Sequence, residues 1–278
     1  MACLSPALRR RRCLTVLALA VCVPVRAEDL PAIHKRGSLR VLVVEMSGPD
    51  VFFPVKSSGS PGFDRELLDG FATLHRLRLE VVPVASWDQL IPRLQDGDGD
   101  LIAGRVTVTE RRRQLINFTS GVFPTRAVVV TRRPHPAVTT LAQLRGERVG
   151  TVRGTSLAEA VVAADVPRAN VDDSIGLGSG LLPLVSLPAA LKEGRITAAV
   201  MGVESAIIAQ QGDPQLQLGL FLGPPGTMAY GVRKQDPELL RALNEYIDNL
   251  RRTPTWNRLV VKYFGEAALE VLNTARRE

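Results

Sequence analysis

Two alternating periods constrain this chain more than any other feature. LRVLVVE (39–45) is a compact β-branched run, the pattern of a buried strand. A loop of glycines, prolines and serines follows. FDRELLDGFATLHRL (63–77) then carries apolar residues at 63, 67, 68, 71, 74 and 77, the offsets of an amphipathic helix. RLEVVPV (78–84) and DLIAG (100–104) read as further strands, and WDQLIPRLQDG (87–97) as a short helix stopped by Gly97. Strands and helices in this order predict an α/β fold whose sheet faces are covered by helices.

The rhythm then repeats. AVVVTRRPHP (127–136) is a strand running into a proline-bearing connector. LAQLRGERVGTVRGTS (141–156) reads as a helix, a strand at 148–152 and a Gly-Thr turn before a helix near 157–164. Residues 171–188 are rich in Gly, Pro and Ser and carry no clear period. AALKEGRITAAVMG (189–202) is a helix, a turn and a strand, LQLGLF (216–221) is another strand, and MAYGVRK (228–234) comes after Pro224-Pro225. A helix follows from about 237 to 252. TPTWNRLVVKYFG (253–265) closes as a helix with Thr253 at the N-cap and Pro254 at the first helical position. The pattern predicts two α/β lobes with two strands crossing between them, near 127–132 and 219–231. A single doubly wound sheet is the alternative.

Residues 1–27 read as an export leader. Arg9 to Arg12 form a basic start, LTVLALAVCVPV (14–25) an apolar centre, and Val25-Arg26-Ala27 a cleavage site. The apolar run of 12 residues is short for a membrane span of about 20. Cys22 has a poor context for lipid attachment, because Val21 stands where a small residue is usual. Removing the leader takes away five arginines and no acids, so the formal charge falls from +7 to +2. The basic balance is thus partly an export signal and argues weakly for a polyanionic partner. All three cysteines, at 3, 13 and 22, also lie in the leader. What remains has no disulfide, no thiol nucleophile and no cysteine metal ligand.

Catalytic signatures are sparse. The histidines at 34, 75 and 135 have no metal-site spacing and read as separate surface residues. GTVRGTS lacks the Gly-Lys-Ser/Thr ending of a phosphate loop, LGSG (177–180) is too weak for one, and there is no GxSxG elbow. No metal or cofactor is expected. The arginine pairs and the triple Arg111-Arg112-Arg113 are not interleaved with aromatics, which make up only 5% of the chain, so nucleic acid is not an expected partner.

A small-solute site is the reading left. The loops after strands 39–45 and 100–104 fall at strand C-terminal ends, where open α/β sheets hold ligands. The Gly154-Thr155 turn leads into a helix whose N–H groups suit an anion. An arginine opposite it would grip a carboxylate with a two-pronged hydrogen bond. Phe53 and Trp87 would cover the apolar part of a ligand, or simply be core.

In family order and spacing, GSLRVLVVE (37–45), GFDRELLDGFATL (62–74), WDQLIPRLQDGDGDLIAG (87–104), TVTERRRQLINF (107–118), LRGERVGTVRGTS (144–156), LKEGRITAAV (191–200) and NLRRTPTWNRLVVKYFG (249–265) resemble periplasmic solute-binding proteins of family 3. Those proteins deliver polar amino acids to ABC transporters. The chain is also similar to the sensor-like domain of a membrane-bound lytic transglycosylase. The resemblance implies a periplasmic, non-enzymatic protein of the type II periplasmic-binding-protein fold. The expected units are the leader 1–27, a first lobe of 28–130 completed by 222–278, and a second lobe of 131–221.

The resemblance also implies a site. The family places an arginine three residues after a threonine to hold the ligand α-carboxylate. Thr109 and Phe118 both point to Arg112, whereas counting from Gly104 points to Arg111, so one extra residue lies between Gly104 and Thr109. Gly154 and Thr155 complete the carboxylate site. Backbone at Ala103-Gly104, with Val106 or Thr107, would accept from the ligand ammonium, and Phe52 or Phe53 would supply the aromatic wall. The family's aspartate after its DAVV strand is here, after TAAVM, Gly202, with Glu204 two residues on. That departure leaves two ligand classes, an amino acid or an organic acid without the amine. Import through an ABC permease is the expected role. An accessory or sensory role beside a periplasmic enzyme, such as a quinoprotein dehydrogenase, is the alternative. A dehydratase would need a cleft acid or base, for which Glu204 is the candidate.

Overall fold

The computed structural model describes residues 29–45, 50–54, 60–176 and 183–266. The expected leader and the LGSG stretch lie outside them. In chain order come α1 (Leu30–Arg36), β1 (Ser38–Val44), α2 (Phe63–Leu74), β2 (Arg78–Val84), a 3-10 turn at Trp87–Gln89, α3 (Leu90–Gln95), β3 (Leu101–Ile102), α4 (Glu110–Leu115) and β4 (Asn117–Phe118). Then follow β5 (Phe123–Arg132), α5 (Leu141–Arg145), β6 (Val149–Gly150), α6 (Ser156–Ala163), β7 (Val171–Asp172), α7 (Pro183–Lys192), β8 (Ala198–Gly202) and α8 (Val203–Gly212). The chain returns through β9 (Leu216–Met228) and β10 (Gly231–Val232) to α9 (Pro237–Arg251) and α10 (Pro254–Phe264).

These elements build two mixed sheets, one per lobe. The first has the order β2-β1-β3-β10-β4 and the second β7-β6-β8-β5-β9. β1 lies between parallel neighbours β2 and β3 and is buried along nearly its whole length, as its unbroken apolar run requires. β10 pairs antiparallel with β3 and β4, so the last part of the chain completes the first sheet. β5 leaves the first lobe and pairs antiparallel with β8 and with the long β9. The two-lobe arrangement thus replaces the single-sheet alternative.

Several boundaries differ from the sequence reading for physical reasons. α7 begins at Pro183 and carries Pro188 inside it, where the sequence reading started the helix at 189. Its first-turn N–H groups need no intrahelical partner, and Pro188 removes only one bond further along. The strand expected at 148–152 is two residues long, with Val152 adding an isolated bridge to Ser174. β9 runs past Pro224 and Pro225 to Met228, because β5 pairs with it irregularly and tolerates register breaks. His34 and His75, read as separate surface residues, stack at 5.5 Å.

A ring cluster ties the crossing strand to both ends of the chain. Phe123, at the start of β5, meets Phe52, Phe63 and Phe264 at centroid distances of 5.5, 5.3 and 4.6 Å. All four are fully buried. Removing the central ring leaves a cavity in a packed core, and Phe123→Ala is expected to cost about 3–5 kcal/mol of stability, measurable by urea denaturation.

Asp64 shapes the turn after β3. Gly104 and Arg105 both adopt left-handed backbone, φ +81° and +64°. A side-chain-bearing residue enters that region at a cost and needs outside support. The Gly104 N–H donates to Asp64 Oδ2 at 3.2 Å, the Arg105 N–H points to the same carboxyl, and Tyr230 Oη donates to Oδ1 at 3.1 Å. Burial outweighs these bonds and raises the Asp64 pKa from 3.8 to about 7. The native state therefore holds this proton more tightly than the unfolded chain. Stability from this group is full below pH 4 and is lost as pH rises towards 7, by roughly 4 kcal/mol. Asp64→Asn should flatten the stability profile between pH 4 and 7, measured by denaturant unfolding at stepped pH.

Candidate functional site

A cavity lies between the two lobes. From the first lobe and the crossing strands it is lined by Trp87, Arg105, Thr107, Arg112, Thr125 and Met228. From the second lobe come Thr155, Ser156 and Leu157 at the start of α6, Pro183 at the start of α7, and Met201, Gly202, Glu204 and Ser205 around the β8–α8 junction. Met228 ends β9, and Thr125 lies in β5, so the crossing strands form the floor.

Local capping aims the arginines. Thr109 is the N-cap of α4, and its hydroxyl accepts from the Arg112 N–H at 3.3 Å. That puts Arg112 at the third helical position with its side chain folded back into the cavity. Its Nη1 donates to the Thr107 carbonyl at 2.8 Å, and its Nη2 reaches the Gly154 carbonyl of the other lobe at 3.5 Å. Burial lowers the Arg112 pKa, partly offset by Glu159. Arg111, one residue earlier, turns outward. Its side chain is 81% exposed and stands 3.8 Å from Glu159 across the lobes. Such an exposed pair contributes about 0–1 kcal/mol.

The second lobe offers an anion-binding helix start opposite Arg112. Gly154 has φ +78°, which turns the chain into α6, and it stands behind the cavity rather than on its wall. Thr155 caps the helix by accepting from the Ala158 N–H at 3.4 Å, while its own hydroxyl donates to the Val152 carbonyl at 2.6 Å. The free N–H groups of the first turn carry the positive end of the helix dipole.

Glu204 fills the space beside Gly202. A Cβ at Gly202 would stand 2.1 Å from Glu204 Oε1, so the carboxyl group lies where a side chain on residue 202 would begin. Thr125 Oγ1 donates to Oε2 at 2.8 Å and Ser205 Oγ to Oε1 at 3.3 Å. Burial raises the Glu204 pKa, more than these bonds and the nearby Arg105 lower it. The group is a buried acid without an ion-pair partner at contact distance among the described residues.

The remaining expected residues are placed differently. Phe52 and Phe53, expected as an aromatic wall, are buried in the first-lobe core and do not line the cavity. Phe52 turns inward because the ring cluster offers it more apolar contact than the cleft does. Gly104 also misses the cavity; its N–H is spent on Asp64. Val106 is likewise committed, its carbonyl accepting from the Ala229 N–H. Thr107 and Trp87 do line the cavity. Arg105, Thr125 and Ser205 are cavity residues that sequence reasoning did not single out. For Arg105 there was a signal, the one extra residue between Gly104 and Thr109. Among the described residues no group of three His, Cys, Asp or Glu side chains could hold a metal ion, and no helix is long and apolar enough to cross a membrane.

This geometry has known counterparts. The fold matches ArgBP from T. maritima, with a TM-score of 0.71 and 26% identity over 85% of this chain and 99% of that one. An ancestral arginine-binding protein bound to arginine gives 0.67 and 25%, covering 83% and 99%. A substrate-binding protein of an ABC uptake transporter from Streptococcus pneumoniae, with bound histidine, has the same fold at a TM-score of 0.71 and 19% identity, covering 85% and 96%. These are the two α/β lobes with crossing strands of the type II periplasmic-binding-protein fold. In sequence, the chain is 25% identical over 266 residues to membrane-bound lytic murein transglycosylase F of Stutzerimonas stutzeri (strain A1501), covering 92% of this chain and 53% of the relative. It thus spans about half the length of the curated relatives it matches. Residues 40–266 match the profile of the bacterial extracellular solute-binding proteins, family 3. With most of its length inside that match and an interlobe cleft of this form, the chain belongs to the bacterial extracellular solute-binding proteins, family 3.

Proposed function

We propose that the cleft captures a small carboxylate-bearing solute, an amino acid or a related organic acid, in the periplasm for import by an ABC permease. The observation that carries this reading is Arg112, half-buried in the cleft and facing the start of α6 on the other lobe. A carboxylate between them would accept from the guanidinium and from first-turn N–H groups at once. Closure follows from that geometry, because only the closed form lets one solute touch both lobes. The moving units would be the first sheet with its helices and the second sheet with its helices, which meet along β5 and β9.

Glu204 would receive the amine. It stands at the place of a side chain on residue 202, in the same cavity as Arg112. An ammonium there would give the buried acid the cation it lacks and favour its ionised form. Trp87 would cover the apolar part of the solute.

A second reading is favoured by one fact, that the curated relatives are about twice as long and are named as membrane-bound lytic murein transglycosylases. On that reading the chain is an accessory or sensory module beside a periplasmic enzyme. It predicts no solute affinity that depends on Arg112.

Calorimetry against amino acids and organic acids separates these readings. Arg112→Ala should weaken the binding solute by about 2–5 kcal/mol, roughly thirty- to several-thousand-fold. Equal binding by both forms would exclude Arg112 as the carboxylate ligand. Glu204→Gln should weaken an amino acid by at least about tenfold while leaving the matching amine-free acid within a factor of about three. Equal losses for both solutes would remove the amine assignment.

A further inference from the structure

Arg105 is the cleft residue that capture of a simple carboxylate does not use. Its guanidinium lies over two aromatic rings, 5.7 Å from the centroid of Phe52 and 5.9 Å from that of Trp87. Its Nη2 stands 3.4 Å from Asp50 Oδ2, and both side chains of the pair are only 8% exposed. Two ring faces and one carboxylate are what a cation-binding box consists of. Here the box holds the chain's own guanidinium. The residue enters it from left-handed backbone at φ +64°, braced by Asp64 through the preceding turn.

The guanidinium is held but not satisfied. Its contact with Asp50 is a single long one, and its Nε is buried with no hydrogen-bond acceptor. A guanidinium has five N–H donors, and a buried unmatched donor is costly. The Trp87 Nε1–H is likewise buried without an acceptor on the same cavity wall. Arg112 adds a second cation nearby, and the acid at Glu204 is the acceptor for an amine. The end of the cleft near Arg105 is therefore rich in donors and already filled by a cation.

We propose that Arg105 sets the specificity of the cleft: by occupying the Phe52–Trp87–Asp50 box it excludes solutes with a cationic side chain and selects one carrying a second carboxylate. The inference rests on the reading of the cleft as a solute site. A second carboxylate would accept from the Arg105 fork and the Trp87 N–H. A guanidinium or ammonium side chain would meet Arg105 in place of the rings. The same fold that hosts arginine in its structural counterparts would then be closed to arginine by one residue.

Calorimetry with L-glutamate, L-glutamine and L-arginine tests this, using the whole protein and two variants. Arg105→Gly removes the side chain and suits the positive φ, and Arg105→Lys keeps the charge but not the fork. Thermal melting checks that each variant folds. The native protein should bind L-glutamate at least about tenfold tighter than L-glutamine, with L-arginine weakest. Arg105→Gly should lose the preference for L-glutamate and gain at least about tenfold for L-arginine, while Arg105→Lys should still reject L-arginine. L-arginine binding to the native protein as tightly as L-glutamate, or the same ranking in Arg105→Gly, would overturn the proposal. A native protein that binds none of the three beside an Arg105→Gly that gains L-arginine would overturn solute capture but leave the occupied box standing. Silence from every solute in both forms would overturn both.

Discussion

The antiparallel pairing of β5 with β9 is the constraint on which the rest depends. It is the path by which the chain leaves the first lobe and returns to it, and it begins beneath the cleft. Thr125 and Met228 belong to these strands and to the cavity floor at once. The ladder is not uniform. Its register breaks between Thr125 and Ala127, next to the hydroxyl that donates to Glu204. Phe123, two residues earlier, is locked among Phe52, Phe63 and Phe264. A bend of the lobes concentrated at the break would leave the ring cluster intact and move Thr125 relative to the second lobe. Site and hinge are then one place, and a change at either is felt at the other.

Magnitudes decide what holds the lobes together. The polar links made across the cleft by Arg111 and Arg112 are weak. Arg112 Nη2 to the Gly154 carbonyl, at 3.5 Å, is longer than an ordinary N–H···O bond. Arg111 and Glu159 form an exposed pair at 3.8 Å. Burial lowers the Arg112 pKa by more than the nearby Glu159 raises it. Charge-assisted hydrogen bonds contribute about 1.5–3 kcal/mol each. On the proposed reading, a carboxylate accepting two or three of them would exceed these two cross-cleft contacts and would favour closure.

The sequence showed some of this directly and could not show the rest. β1 and α2 were legible because their periods are long and unambiguous. β10, Gly231–Val232, was not legible as a separate strand, because two residues of pairing leave no period to read. α7 was cut short because Pro188 breaks local helix propensity, while the surrounding burial of Leu184, Leu187 and Leu191 carries the helix through. The choice between Arg111 and Arg112 turned on one hydrogen bond. Thr109 caps α4 and places the third helical residue inward, a fact of three-dimensional direction that counting along the chain left open. Phe52 and Phe53 were assigned by position in a loop, but burial is decided by what lies behind the loop, here three other rings. The extra residue before Thr109 was visible as a spacing. That it would be a left-handed arginine aimed between two aromatic rings was not, since the turn is braced by Asp64, which lies forty residues before Gly104 in sequence.

The exchange of an acid between positions 202 and 204 has a physical consequence beyond composition. A carboxylate on Gly202 would hang from the end of β8 by a short stem. Glu204 sits instead within the first turn of α8, where the helix dipole and the hydroxyls of Thr125 and Ser205 favour its ionised form. Those contacts do not overcome burial, so the acid holds its proton more tightly than in water. An acid held this way gains most from a cation delivered to its carboxyl, which lies at the start of α8 beside Gly202. On the proposed reading of the cleft, the helix fixes one point at which the ligand's amine is received, while Arg105 fills the box that a cationic side chain would enter.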